Sequence, residues 1–204
     1  MLTFKKDTPY NPPVTQIIQT HLDLMLSLSP PESSHALDLE GLATEDIRFW
    51  SVWQEGTLVG MCAYKILDPA YFVNDSFARP IGDGSEAAHR EINPADSGKP
   101  DDASSFAGPF GGDSEAVRRE IKYAEIKSMH TIEKVRGQGI GNQMLDFLLD
   151  NAISENISVF YLETGVQPGF KAARRLYETK GFSYCEPFAD YDEDPNSVFM
   201  TLVK

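Results

Sequence analysis

A glycine-rich segment, Arg136-Gly137-Gln138-Gly139-Ile140-Gly141, has residue types and a spacing that could do chemistry. Alternating glycines let the backbone pass close to a ligand and turn its N–H groups outward. A helix that begins at such a segment adds unpaired N–H donors and the positive end of its dipole. The segment therefore predicts a binding site for a phosphate or pyrophosphate that needs no lysine.

Two common phosphate-binding loops do not fit this spacing. A P-loop ends in Gly-Lys-Ser/Thr, whereas Gly141 is followed by Asn142 and Gln143. The dinucleotide-binding pattern is GxGxxG, whereas Gly139 and Gly141 are only two positions apart. What remains is the pattern R-G-x-G-x-G, placed between a predicted strand and a predicted helix.

Hydrophobic periodicity predicts a mixed α/β fold around this segment. A first strand is predicted at residues 2–6, and Asn11 is a candidate N-cap for an amphipathic helix at 12–29. Alternation of strand and helix after residue 121 favours parallel neighbours with helices packed across them. The other predicted elements are a hairpin of strands 48–54 and 58–67, strand 124–131, helix 139–154, strand 159–164, helix 169–179 and a terminal antiparallel hairpin of 182–188 and 198–203.

Residues 68–118 interrupt this pattern. They are rich in proline, glycine and acidic residues and show no sustained periodicity. Such a composition cannot offset its ordering entropy by burial, which predicts a disordered or mobile insertion between two neighbouring strands. Four phenylalanines argue that parts of the insertion are pinned against the body of the protein: Phe72, Phe77, Phe106 and Phe110.

The glycine pattern resembles the pyrophosphate loop of the GNAT superfamily, N-acetyltransferases that use acetyl-coenzyme A. Strand 161–164, the helix at 173–178 and the following Lys180-Gly181-Phe182 are similar to that superfamily's next elements, in the same order. The resemblance covers residues 121–204 well and residues 1–67 more loosely. It implies one domain over residues 1–204, with a mostly antiparallel central sheet that has a parallel pair at its centre and is flanked by helices.

The resemblance also implies how the coenzyme is held. The loop backbone takes the pyrophosphate and Arg136 adds charge, while the backbone of the preceding strand holds the pantetheine arm. Many members have an asparagine seven positions before the tyrosine that lies beside their coenzyme sulfur. Counted from Tyr177, this chain has Phe170 at that position. The implied coenzyme-binding residues are Ser128, Met129, His130, Val135, Arg136, Gly137, Gln138, Gly139, Ile140, Gly141 and Arg174.

Direct transfer of an acetyl group from a thioester to an amine needs an acid for the departing thiolate and a base for the ammonium. Tyr177 resembles the tyrosine that many superfamily members place beside the coenzyme sulfur, and a core aromatic residue on an amphipathic helix is the alternative. Glu125 and Glu163 are the candidate bases, Glu125 preferred by resemblance, and either could instead be a paired structural carboxylate. Candidate contacts to the acceptor are Glu32, His35, Trp50 and Trp53, for which a solvated turn or a core position is the alternative.

Composition narrows the partners. A formal net charge of −13 argues against nucleic acid, and no apolar run is long enough to span a membrane. Cys62 and Cys185 lie apart in apolar segments, which suits a reducing compartment and predicts a cytoplasmic protein, with nuclear entry left open. The spacing of His21, His35, His89 and His130 predicts no metal site.

The sequence therefore predicts an N-acetyltransferase that passes acetyl from acetyl-coenzyme A, without a metal, to a primary amine. The acceptor is a small molecule or a peptide, and the protein is a monomer or a homodimer. Two alternatives remain open: a coenzyme A-binding or regulatory module without turnover, and an unrelated phosphate-binding α/β domain.

Overall fold

The computed structural model describes residues 1–72 and 121–204. Within these ranges seven strands form one sheet in the order β1-β2-β3-β4-β5-β7-β6. All neighbours are antiparallel except β4 and β5, so the predicted mixed sheet with a parallel pair near its centre is confirmed. The strands are β1 (Leu2–Lys6), β2 (Ile47–Gln54), β3 (Thr57–Leu67), β4 (Lys122–Thr131), β5 (Ile157–Gly165), β6 (Ser183–Cys185) and β7 (Ser197–Val203).

Helices α1 (Pro12–Leu28), α2 (Ile140–Ser154) and α3 (Lys171–Thr179) flank the sheet. On β3, successive side chains point to opposite faces, as a pleated strand requires. Met61 and Ala63 pack with α1, whereas Cys62 and Tyr64 belong to the core cluster that contains the buried residues of α2. The predicted apolar face of α2 is buried as expected: Ile140, Met144, Leu148 and Ala152.

Local details differ from the sequence-based expectations at three element ends. Asn11 occupies the N-cap position of α1, but its side chain donates to the Asp7 carboxylate and does not cap the helix. The helix predicted from residue 169 begins at Lys171, after a 3-10 turn over Pro168–Phe170. The strand predicted at 182–188 is only three residues long, and Phe188 packs into the core from the irregular backbone after it.

The predicted insertion begins inside the folded core. Its first residues form a 3-10 turn, Pro69–Phe72, in which Phe72 is buried. The Phe72 ring stacks on Tyr123 at a centroid distance of 4.0 Å and on Tyr161 at 5.4 Å. Residues 73–118, with Phe77, Phe106 and Phe110, lie outside the described residues. The strands on either side of the insertion, β3 and β4, are neighbours in the sheet, as predicted.

Candidate active site

The sheet opens between its two parallel strands. Pairing between β4 and β5 runs from Lys122↔Ile157 to Glu125↔Tyr161. Beyond this last pair β4 continues to Thr131 beside β3, while β5 continues to Gly165 beside β7. A cavity of about 720 Å³ lies at this opening and extends to the glycine loop.

A β-bulge shapes the β4 side of the opening. The β3 partners of Ser128 and Ile126 are the adjacent residues Ala63 and Tyr64, so Lys127 is the extra residue on β4. A bulge re-aims the side chains that follow it. Ala124 and Ile126 face the α2 side before the bulge, and Met129 packs on that side after it. Lys127 lies two residues from Glu125 and is directed to the same end of the cavity.

The glycine loop has the backbone geometry of an anion-binding turn. Gly137 and Gly139 have φ values of +77°, a left-handed conformation that favours glycine. A Cβ at either position would meet nothing within 4 Å, so backbone conformation and not space restricts these two residues. Helix α2 begins at Ile140, directly after Gly139, and its first N–H groups have no helical carbonyl to bind. These donors lie beside the cavity wall formed by Val135, Arg136, Gly137, Gly139, Ile140, Gly141 and Asn142.

Where Glu125 and Lys127 line the cavity, they form a compact hydrogen-bonded cluster with Tyr191. The Lys127 ammonium donates to Glu125 Oε1 at 2.9 Å and to the Tyr191 hydroxyl at 2.5 Å. The Tyr191 hydroxyl in turn donates to Glu125 Oε1 at 2.6 Å. The Glu125 and Lys127 side chains are only 4% and 10% exposed, so this ion pair is shielded from solvent. Burial, followed by the Glu125 charge, raises the pKa of Tyr191 far above its usual value, and the phenol stays protonated.

Glu163 lies across the opening on β5 and has different contacts. Its Oε1 accepts one hydrogen bond, from the Ser197 hydroxyl at 2.6 Å. Burial raises the pKa of Glu163 above its usual value, and the Glu125 charge adds to this effect. The Ser197 hydrogen bond and the charges of His35 and Lys127 act in the opposite direction.

Tyr177 reaches the cavity from α3. It is 9% exposed, and its ring contacts Phe182 edge to face at 5.7 Å. Burial, with a smaller contribution from the Glu163 charge, raises the pKa of Tyr177 to about 12. The phenol therefore carries its proton at neutral pH and can donate it.

Two buried histidines line the same cavity. His21 on α1 and His130 on β4 are in edge-to-face contact at 5.3 Å. Burial lowers the pKa of each to about 4, with further contributions from the neighbouring ring at His21 and from Arg136 at His130. Both rings are therefore neutral at pH 7.

The structure brings some of the sequence-predicted site residues to the cavity but not others. His35 lines it, whereas Glu32 is exposed and does not. Trp50 is in the core against Tyr64 and Phe147, which matches the alternative reading of this tryptophan. Trp53 lies beside Lys5, which covers its ring at 4.5 Å.

Three predicted coenzyme contacts also lie away from the cavity wall. The Arg174 guanidinium donates to the carbonyls of Gly165 and Gln167, so it holds the end of β5. Gln138 donates to the Lys134 carbonyl on the exposed side of the loop. The Ser128 hydroxyl is buried, and only its backbone remains a candidate contact.

Sequence reasoning missed Lys127 and Tyr191. Lys127 carried a weak signal, because it lies two residues from Glu125 on a strand and two such residues ordinarily share a face. Tyr191 carried none, since it lies in irregular backbone between β6 and β7.

In the described ranges no three His, Cys, Asp or Glu side chains could hold a metal ion. No helix of residues 1–72 or 121–204 is long and apolar enough to cross a membrane.

Comparison with known proteins gives consistent results. The model of the acetyltransferase (GNAT) family matches residues 106–182. The chain is 35% identical to the uncharacterized N-acetyltransferase YsnE of Bacillus subtilis over 188 residues, which are 92% of this chain and 90% of that protein. It is 32% identical to the uncharacterized N-acetyltransferase YedL of Escherichia coli over 202 residues, which are 99% of this chain and 94% of that protein.

The fold is also that of solved acetyltransferases. The structure of PaiA N-acetyltransferase from Thermoplasma acidophilum in complex with coenzyme A superposes with a TM-score of 0.58 at 12% identity, covering 100% of this chain and 99% of that one. At this identity the likeness concerns the fold. Taken with the full-length sequence relatives, the chain belongs to the GNAT family of acetyltransferases, which take an acyl group from an acyl-coenzyme A and pass it to an acceptor.

Proposed function

We propose that this protein transfers acetyl from acetyl-coenzyme A directly to a primary amine. The observation that carries the proposal is a single cavity that connects an anion-binding turn to a buried acid–base end. The turn at Gly137–Gly139 suits a pyrophosphate, and the far end holds a raised-pKa carboxyl group, Glu163, and a protonated phenol, Tyr177. An acetyl-coenzyme A that reaches from the turn to the far end of the cavity has its sulfur beside Tyr177 and Glu163, which can donate and accept protons.

The coenzyme is held mainly by backbone groups. The free N–H donors at the start of α2 bind the pyrophosphate, and Arg136 lies beside them. The pantetheine arm runs along the opened edge of β4 at Ser128–His130, where β5 no longer pairs with that strand. Its amide groups then take the place of the missing strand partner.

In the reaction, the neutral amine attacks the thioester carbonyl carbon. A C–N bond forms, the C–S bond breaks, and the coenzyme leaves as a thiolate. Tyr177 donates its proton to that sulfur, and a carboxylate takes the proton that the amine gives up. Burial raises the pKa of Tyr177 to about 12, so at neutral pH the phenol still holds the proton that the thiolate needs.

The contacts favour Glu163 over Glu125 as the base, although sequence resemblance favoured Glu125. Glu125 Oε1 already accepts hydrogen bonds from Lys127 and Tyr191, and an ammonium compensates its charge. Glu163 has one hydroxyl partner and a pKa raised by burial, which brings a carboxylate closer to the value that suits a base at neutral pH. Glu125 then acts as the partner that fixes Lys127.

The test is thiol release from acetyl-coenzyme A in the presence of a panel of primary amines, with coenzyme binding measured by calorimetry. We expect turnover with at least one amine. We expect Tyr177→Phe to keep coenzyme affinity but to lower kcat by about 10²-fold or more, the usual contribution of a positioned acid. Phe182→Leu, which alters the ring beside Tyr177, is the packing control. Coenzyme binding with no turnover across the panel would favour a binding module, and unchanged kcat in Tyr177→Phe would remove this tyrosine as the acid.

A further inference from the structure

The last residue of α1 and the segment after it line the cavity near its acid–base end. We call residues 28–36 the roof. Six of its members line the cavity, namely Leu28, Ser29, Ser33, Ser34, His35 and Ala36. The roof belongs to the chain before β2, whereas the acid and the proposed base come from α3 and β5.

Contacts hold the roof to three separate places on the opposite side. The Leu28 side chain lies so close to Gly169 that a Cβ there would be 2.6 Å from Leu28 Cδ2. The Asn196 side-chain amide donates to the Ser33 hydroxyl at 3.2 Å. The His35 ring meets the Tyr191 ring edge to face at 5.0 Å.

Ser33 is the centre of this connection. It is 6% exposed, and its hydroxyl lies near the Asp194 carboxylate. The hydrogen bond that Asp194 accepts from the Asn196 backbone, with a smaller contribution from Ser33, holds the pKa of that carboxyl below its usual value. The charge of Asp194 is therefore part of the contact at neutral pH, which ties the roof to the segment before β7.

Space under the roof is limited. One drug-sized ligand commonly fills a pocket of about 300 to 1,000 Å³. Here a cavity of about 720 Å³ must hold the pantetheine arm and the acceptor together. A peptidyl amine brings several residues of backbone and needs an open groove beside the thioester, where this chain has the Ser33–Asn196 and His35–Tyr191 contacts.

We infer that the acceptor is a small free amine enclosed beneath the roof, and not the amine of a peptide or protein. This inference rests on the acetyl transfer proposed above. It narrows the acceptor, for which the sequence allowed either class. The charges at this end suit such a ligand, since Lys127 compensates Glu125 and leaves Glu163 to meet one ammonium group.

Two coenzyme conjugates test the size limit without requiring turnover. In one, the coenzyme sulfur carries a –CH₂–CO– link to the nitrogen of propylamine; in the other, the same link joins the N-terminus of Ala-Ala-Ala. We expect the wild-type protein to bind the propylamine conjugate at least about tenfold more tightly by calorimetry. Equal or tighter binding of the tripeptide conjugate would overturn the inference and leave the proposed function standing.

Roof variants show whether the roof causes the difference. Ser33→Ala with His35→Ala removes the contacts to Asn196, Asp194 and Tyr191, and we expect the ratio of the two affinities to fall toward one. Ser27→Ala is the matched control, because Ser27 is exposed and donates to the Leu24 carbonyl within α1. An unchanged ratio in the double variant would overturn the inference as argued. Failure of coenzyme A itself to bind would overturn the proposed function, and this inference with it.

Discussion

Glu125 and Glu163 line the same end of the cavity, but their hydrogen-bond partners differ. Glu125 Oε1 already holds the Lys127 ammonium at 2.9 Å and the Tyr191 phenol at 2.6 Å. Glu163 is half-buried and has one hydroxyl partner, Ser197, so it has more room to meet an amine. The difference can be measured, because only the base should control the acidic limb of the pH–rate profile.

With an accepted amine, we expect kcat/KM to fall as the pH drops through the pKa of Glu163. This limb should lie above the ordinary glutamate range, since burial raises that pKa. Glu163→Gln should erase the limb. Lys127→Met removes a charge that lowers the pKa of Glu163, so it should move the limb to higher pH. Glu125→Gln removes a charge that raises that pKa and should move the limb to lower pH.

The opposite shifts distinguish this assignment from its rival. His35 and Tyr177 also face Glu163, so each variant profile is compared with that of the wild type and not with a free glutamate. Loss of the limb in Glu125→Gln, with the limb kept in Glu163→Gln, would transfer the role to Glu125. No limb in the wild type would mean that the acceptor is already neutral or that water takes the proton.

Gly139 has two roles in the glycine loop, one in the backbone conformation and one beside the bound ligand, and a single substitution would change both. Gly139 has a left-handed backbone, so any side chain strains it, and it also borders the site that we propose for the pyrophosphate. Gly139→Ala adds the strain alone, whereas Gly139→Glu adds strain and a negative charge. We expect Gly139→Glu to bind acetyl-coenzyme A at least about tenfold more weakly than Gly139→Ala in calorimetry. Equal affinities of the two variants would place the pyrophosphate elsewhere.

Periodicity predicted most elements and their order, because alternation on strands and the apolar face of α2 are local properties. It could not show the bulge at Lys127, since the extra residue is defined only by the register with β3. The family resemblance assigned Arg174 to the coenzyme, whereas the guanidinium binds two carbonyls near the end of β5. The His35–Tyr191 and Ser33–Asn196 contacts join residues more than 150 positions apart, and no local pattern records such pairs.

We propose that residues 1–204 form one domain. We also propose that the part of the insertion that the fold does not need starts after Phe72. The composition of residues 68–118 predicted a segment that contributes little burial. Phe72 differs from this prediction, because it is buried. It joins Tyr123 and Tyr161, and Tyr161 stacks on Phe188 at 4.6 Å, so the aromatic rings link the end of β3 to the segment after β6.

Phe72→Ala should therefore destabilise the whole protein. Loss of a buried phenylalanine commonly lowers the free energy of unfolding by about 3 to 5 kcal/mol, and we expect the lower end because Phe72 keeps 8% of its surface exposed. Tyr71→Ala is the matched control: Tyr71 is the adjacent aromatic residue, is 47% exposed, and should change that free energy by only about 0.5 kcal/mol. Urea unfolding of the two variants measures both values. Similarly small decreases in the free energy of unfolding for both variants would show that the aromatic stack does not stabilise the fold. Phe72 would then belong to the part of the insertion that the fold does not need.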